Sequence, residues 1–144
     1  MQRLVLVRGL PGSGKSTFVR DAFEDVNSML QLSRNCCVHY EADAYFMDHE
    51  SKYRFDADKL HRAHAWCYDS ARVSMNRGWE TIVSNTFTTL KEMKQYLDHA
   101  ELIKMPVLVF RMTQSYGSLH NVPEATVQKM IDRFEDYPGE ILVP

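Results

Sequence analysis

The stretch "LVLVRGLPGSGKST", Leu4 to Thr17, constrains this chain more than any other. Leu4-Val5-Leu6-Val7 reads as a buried strand that opens directly into a Gly-rich turn. The spacing of Gly9, Gly14, Lys15 and Ser16 is that of a loop whose backbone N–H groups curl round phosphate oxygens. A helix starting behind such a loop adds the positive end of its dipole. On this reading Pro11, Gly12, Ser13, Gly14, Lys15, Ser16 and Thr17 form the segment that holds a nucleotide polyphosphate. Lys15 would reach the β- and γ-phosphates, and Ser16 would offer its hydroxyl to Mg²⁺. Chance alone produces this spacing in a chain of such length on the order of one time in 200. A strand before it and a helix after it make coincidence rarer still.

Beyond the loop, short apolar runs alternate with longer amphipathic stretches. Helices are predicted over Ser16 to about Asp25, Asp58 to about Arg77 with Gly78 as the stop, Thr89 to about Ile103, and from Pro123 onward. Strands are predicted at Cys36–Tyr40, around Ile82-Val83, and at Val107–Phe110 behind Pro106. Asn27–Asn35, Phe46–Phe55 and Thr113–Asn121 read as irregular. Alternation of this kind predicts an α/β fold, a mostly parallel sheet of four or five strands with helices on both faces. With no linker, repeat or low-complexity tract, residues 1–144 are expected to form a single domain.

Composition narrows the classes. The chain is 44% hydrophobic and 25% charged with a formal charge of −2, so it carries no global basic signature for nucleic acid. A local groove remains compatible with that balance, because an enzyme acting on a strand end needs few phosphate contacts. No apolar run approaches the roughly 20 residues that span a bilayer. The opening "MQRLVLVRG" reads as a first strand rather than a leader, so a cytoplasmic location and no membrane partner are expected. Cys36, Cys37 and Cys67 lack metal-ligand spacing and read as free thiols.

Two strand ends carry the remaining candidates. In "HYEADAYF", Glu41 is read as still in the strand and Asp43 as just beyond it. Asp43 could accept a proton from an attacking hydroxyl, help position Mg²⁺, or simply cap a short helix starting at Ala44. In "ETIVSNTFTT", Ser84-Asn85 stand where many nucleotide-binding α/β proteins place a metal-orienting acid. Asn85 and Thr86 either shape the floor beside the phosphates or form a turn bonded to its own backbone.

The phosphate loop, "ADAYF", "YRFDADKLHRAHAWC", "SNTFTTLKEMKQYL" and "LHNVPEATVQKMIDRFE" together resemble the phage 5′-polynucleotide kinases and their relatives, among them short phage AAA-family ATP-binding proteins. The likeness runs from Leu4 to about Glu135. It implies a three-layer P-loop NTPase fold with a short lid, and ATP and Mg²⁺ held by Lys15 and Ser16. It also implies Asp43 as general base and a location in the cytoplasm of an infected bacterium. Two departures stand out. The resembled kinases carry a carboxylate in the motif ending the third strand, where this chain has Ser84-Asn85. Their lid bears arginines, whereas "RMTQSYGSLHNVP" offers Arg111 alone, either over the phosphates or as a solvated strand end. His120 in that lid is a candidate for touching nucleotide or substrate, and His64 reads as a packing residue or a catalyst. Tyr45, Phe46, Tyr53 and Phe55 offer aromatic faces to a base or to the core.

The expected activity is transfer of the γ-phosphate of ATP to a hydroxyl, with the 5′-OH of a polynucleotide or nucleotide as the expected acceptor. The alternatives are a kinase for a small metabolite or nucleoside, a plain ATPase, and a catalytically weak nucleotide-binding module that acts on a partner protein.

Overall fold

The computed structural model describes residues 2–30, 37–115 and 122–144, with the side chains of 24–30 excepted. Strands β1 (Leu4–Arg8), β2 (Cys37–Tyr40), β3 (Glu80–Asn85), β4 (Val107–Met112) and β5 (Ile141–Val143) form one sheet in the order β2-β3-β1-β4-β5. Every pairing within this sheet is parallel. Among the described residues stand helices α1 (Lys15–Leu30), α2 (Leu60–Asn76), α3 (Leu90–Leu102) and α4 (Glu124–Arg133), with short 3-10 helices at Ala42–Phe46 and Ala57–Lys59.

Strand β1 is central and every residue of it is buried, which is why its sequence is a continuous apolar run rather than an alternation. Val5, Val7 and Ile82 face α1 through Val19 and Phe23. Leu4, Leu6, Val83 and Val109 face the other way, onto Ala63, Cys67, Ala71 and Met75 of α2 and Met93, Tyr96 and Ala100 of α3. This is the predicted three-layer α/β arrangement. A capping box, Thr89 with Glu92, starts α3.

Boundaries moved in instructive ways. Helix α1 continues through Asn27 to Leu30, where an irregular segment was expected. Strand β4 extends through Arg111 and Met112, taking two residues from the expected lid. Cys37 and Cys67 are free thiols, whereas Cys36 lies outside the described residues. Among the described residues, no helix is long and apolar enough to cross a membrane.

Register decides what meets at the carboxyl edge. Arg8 pairs with Asn85 of β3 on one side and Arg111 of β4 on the other, so one rung of the sheet carries all three.

Candidate active site

The phosphate loop leaves β1 at Gly9, and the next helix begins at Lys15. A Cβ on Gly9 would stand 2.5 Å from Ser13 Oγ and 2.9 Å from Met112 Cβ, so close packing demands glycine there. Gly14 holds φ at +88°, a backbone conformation that turns the chain into α1. Among the described residues, the buried Ser13 hydroxyl has no hydrogen-bond partner. Lys15 folds back so that Nζ donates to the carbonyls of Gly9 and Leu10, each at 2.9 Å. Burial pushes its pKa down to about 8, against the opposing pull of the Asp43 and Glu41 charges. Both carboxylates therefore act on the loop.

They do so differently. Glu41 has left β2 and stands, in extended conformation, at the N-cap of the 3-10 helix Ala42–Phe46. Its Oε2 accepts from Ser16 Oγ at 2.7 Å and from Ser84 Oγ at 3.4 Å. His39 Nε2 lies 2.5 Å from the same Ser84 hydroxyl. Because the single Ser84 proton goes to Glu41, the imidazole is assigned as the donor to Ser84. Burial lowers the His39 pKa, with the Glu41 charge opposing. Asp43 is exposed inside the 3-10 helix and accepts from Tyr53 OH at 3.3 Å. It does not cap that helix, since the N-cap is Glu41.

The end of β3 secures this arrangement. Asn85 is only 8% exposed; its Oδ1 accepts from the Ala42 backbone N–H at 2.9 Å, and its Nδ2 donates to Cys67 Sγ at 3.7 Å. The side chain thus spans two segments instead of closing a local turn. The Thr86 carbonyl accepts from Gly9 N–H at 3.2 Å, joining the β3 end to the start of the phosphate loop. Phe87 holds φ at +44°, an uncommon conformation for a bulky residue, and its carbonyl accepts from Arg8 Nε at 3.0 Å and Nη2 at 2.6 Å.

Arg111 is partly exposed and engages the C-terminal segment. Its Nη1 donates to Asp136 Oδ1 at 2.5 Å and Glu140 Oε2 at 3.1 Å, and its guanidinium lies 4.5 Å from the Phe134 ring centre. Two carboxylates and a ring on the C-terminal segment thus hold the guanidinium. His64 is exposed and lines an open groove of about 500 Å³ with Asn85, Thr86, Phe87, Lys91 and Gln95. Phe46 is core, whereas the Phe55 ring is 54% exposed and stacks nearly parallel on Tyr53. His120 lies outside the described residues.

Glu41, Ser84, His39 and Arg8 escaped the sequence reading. Strand pairing would have found the first two: Tyr40 pairs with Val83, and Glu41 and Ser84 stand one step further on.

These residues fit a metal-bound nucleotide. The glycine cradle, the Lys15 ammonium and the Ser16 hydroxyl beside a carboxylate provide complementary groups. Among the described residues no cluster of three or more His, Cys, Asp or Glu could hold a metal alone. A Mg²⁺ here would draw most of its ligands from phosphate and water, as this ion commonly does.

The family model for the AAA domain matches residues 4–116. Human NEDD4-binding protein 2 is 30% identical over 145 residues, covering 93% of this chain but 8% of that protein, so the chain spans less than a tenth of that relative. Kti12 from Chaetomium thermophilum, solved with ADP-AlF3, superposes with a TM-score of 0.67 at 15% identity over 97% of this chain and 88% of that one. A gluconokinase from Sinorhizobium meliloti 1021 gives 0.62 at 15% identity, over 98% and 81%. A chain of the Pnkp1/Rnl/Hen1 RNA repair complex gives 0.56 at 15% identity, over 96% of this chain and 40% of that one. At such identities the structural likenesses establish the fold.

Proposed function

The chain belongs to the AAA domain family, and on that premise we propose that it transfers the γ-phosphate of ATP to a hydroxyl, with the 5′-OH of a polynucleotide or nucleotide as acceptor. The observation that carries this reading is the placement of Asp43. It is exposed to an incoming substrate, close enough for its charge to act on Lys15, and borne on a helix whose first N–H is fixed by Asn85. A base beside a phosphate loop is what a hydroxyl acceptor requires and what a pure nucleotide sensor does not.

The loop amides and Lys15 bind and orient the triphosphate, whose added negative charge favours the protonated form of Lys15. When bound, Mg²⁺ supplies neutralisation of charge on the β- and γ-phosphate oxygens. Asp43 Oδ takes the proton of the acceptor hydroxyl as that oxygen bonds to the γ-phosphorus and the bond to the ADP oxygen breaks. Asn85 and Thr86 shape the floor beside the transferred group. With Arg111 engaged by Asp136 and Glu140, charge stabilisation is assigned to Lys15 and the loop amides. The likeness to a chain of an RNA repair complex, the five ordered motifs, and the exposed Phe55 ring as a stacking face support a nucleic-acid acceptor.

A second reading, a nucleotide-dependent binding module, is favoured by that same engagement of Arg111, which withdraws it from charge stabilisation. Incubation with γ-labelled ATP and a 5′-hydroxyl oligonucleotide separates the possibilities. Label on the oligonucleotide is the expected result; phosphate release alone means an ATPase, and neither product means a binding module. Label passing only to nucleosides or sugars would assign a small-molecule kinase. Asp43→Asn should lower transfer by about 10²- to 10⁴-fold while ATP affinity stays within about two-fold. Undiminished transfer would remove Asp43 as the base.

A further inference from the structure

The end of β3 lacks a carboxylate at Ser84-Asn85, yet a carboxylate oxygen does reach Ser84 from the strand alongside. We propose that Glu41 is the acid that positions the metal of a bound metal–nucleotide, supplying from the end of β2 the charge that Ser84 cannot. The inference rests on the nucleotide part of the proposed function and is independent of the acceptor.

Glu41 Oε2 stands 2.7 Å from Ser16 Oγ, the hydroxyl that this type of loop offers to Mg²⁺. The same oxygen accepts from Ser84, whose hydroxyl is fixed from behind by His39 in the adjacent strand. The carboxylate therefore has two hydroxyl donors on one oxygen and a defined position beside Ser16, as a group acting on a metal through its direct ligand must have. Asp43, two residues on, is exposed and accepts from Tyr53 OH at 3.3 Å. Two acids two residues apart thus take separate tasks, Glu41 toward the metal and Asp43 toward the acceptor. An anchoring role for Glu41 at the first turn of α1 is the competing account, because a carboxylate there also meets the helix dipole. The two accounts differ in one measurable respect: only the metal role depends on metal.

Calorimetric titration with a non-hydrolysable ATP analogue, in excess Mg²⁺ and again in EDTA, measures that dependence. Mn²⁺ in place of Mg²⁺, followed by electron paramagnetic resonance, reads the metal itself. In the wild-type protein metal should tighten binding. Glu41→Gln should lose roughly 10- to 100-fold of affinity in Mg²⁺ while its affinity in EDTA changes less than about two-fold. Glu41→Gln/Ser84→Asp, which moves the acid to β3, should restore the metal-dependent gain. The double variant also decides the matter if the single one does not fold. The inference is overturned if Glu41→Gln keeps the full gain, if it weakens binding equally with and without metal, or if the double variant recovers nothing. Absence of any nucleotide affinity in the wild-type protein would instead overturn the proposed function, and this inference with it.

Discussion

Lys15 carries its charge in a place where charge is costly. Its ammonium rests on two loop carbonyls, and burial brings its pKa from 10.5 to about 8. Between those two values the unfolded chain binds more protons than the folded one, so this residue's contribution to stability improves as pH rises from about 8 to 10.5. Nucleotide binding has the opposite sign, since the phosphates need the protonated form. Metal-free ATP affinity should therefore fall about ten-fold from pH 7 to pH 9, following loss of the Lys15 proton. Lys15→Met should bind weakly at both values, with no such slope; a slope that survives in that variant would place the titrating group elsewhere. Titration calorimetry at the two pH values checks this. The place of Lys15 on the loop was legible in the sequence because one local motif fixes it. That of Arg111 was not, because its partners Asp136 and Glu140 lie 25 and 29 positions further along.

At the scale of elements, the short 3-10 helix Ala42–Phe46 is tethered at both ends. Phe46 anchors its far end in the core, and the Asn85 side chain takes up its first N–H. Asn85→Ala leaves that N–H without its partner and loosens the segment bearing Asp43. The expected outcome is a kcat about ten-fold lower with ATP affinity nearly unchanged, measured by steady-state transfer assays alongside direct binding. An equal loss of ATP affinity would assign Asn85 to the phosphates or the metal. The major helices were visible as amphipathic periods, but the end of α1 was not. Asn27 and Ser28 are weak helix formers and read as a break, yet an established helix propagates across such residues by one backbone bond at a time.

Across the whole molecule, one buried ion pair ties the C-terminal segment to the strand that feeds the phosphate loop. Arg8 is fully buried; its Nη1 donates to Glu140 Oε1 at 2.9 Å, while its other donors hold the Phe87 carbonyl. Arg8 and Arg111 both lie 4.5 Å from the Phe134 ring centre, so β1, the β3 end, β4 and the chain after α4 meet there. Glu140→Ala should lower the unfolding free energy by about 3–5 kcal/mol, because it strands the Arg8 charge in the interior. Urea unfolding measures this, and a loss below about 1 kcal/mol would mean that water reaches Arg8 readily. The amino-acid sequence by itself determined the phosphate loop, the strand–helix alternation and hence the three-layer parallel fold, since these depend on spacing between near neighbours. Only the tertiary structure decided that Glu41 meets Ser16, that Asn85 clamps Ala42, and that Arg111 turns to the C-terminal carboxylates. Each of those contacts joins residues 25 or more positions apart across the sheet edge, and strand order and register, not local pattern, bring them within hydrogen-bond reach.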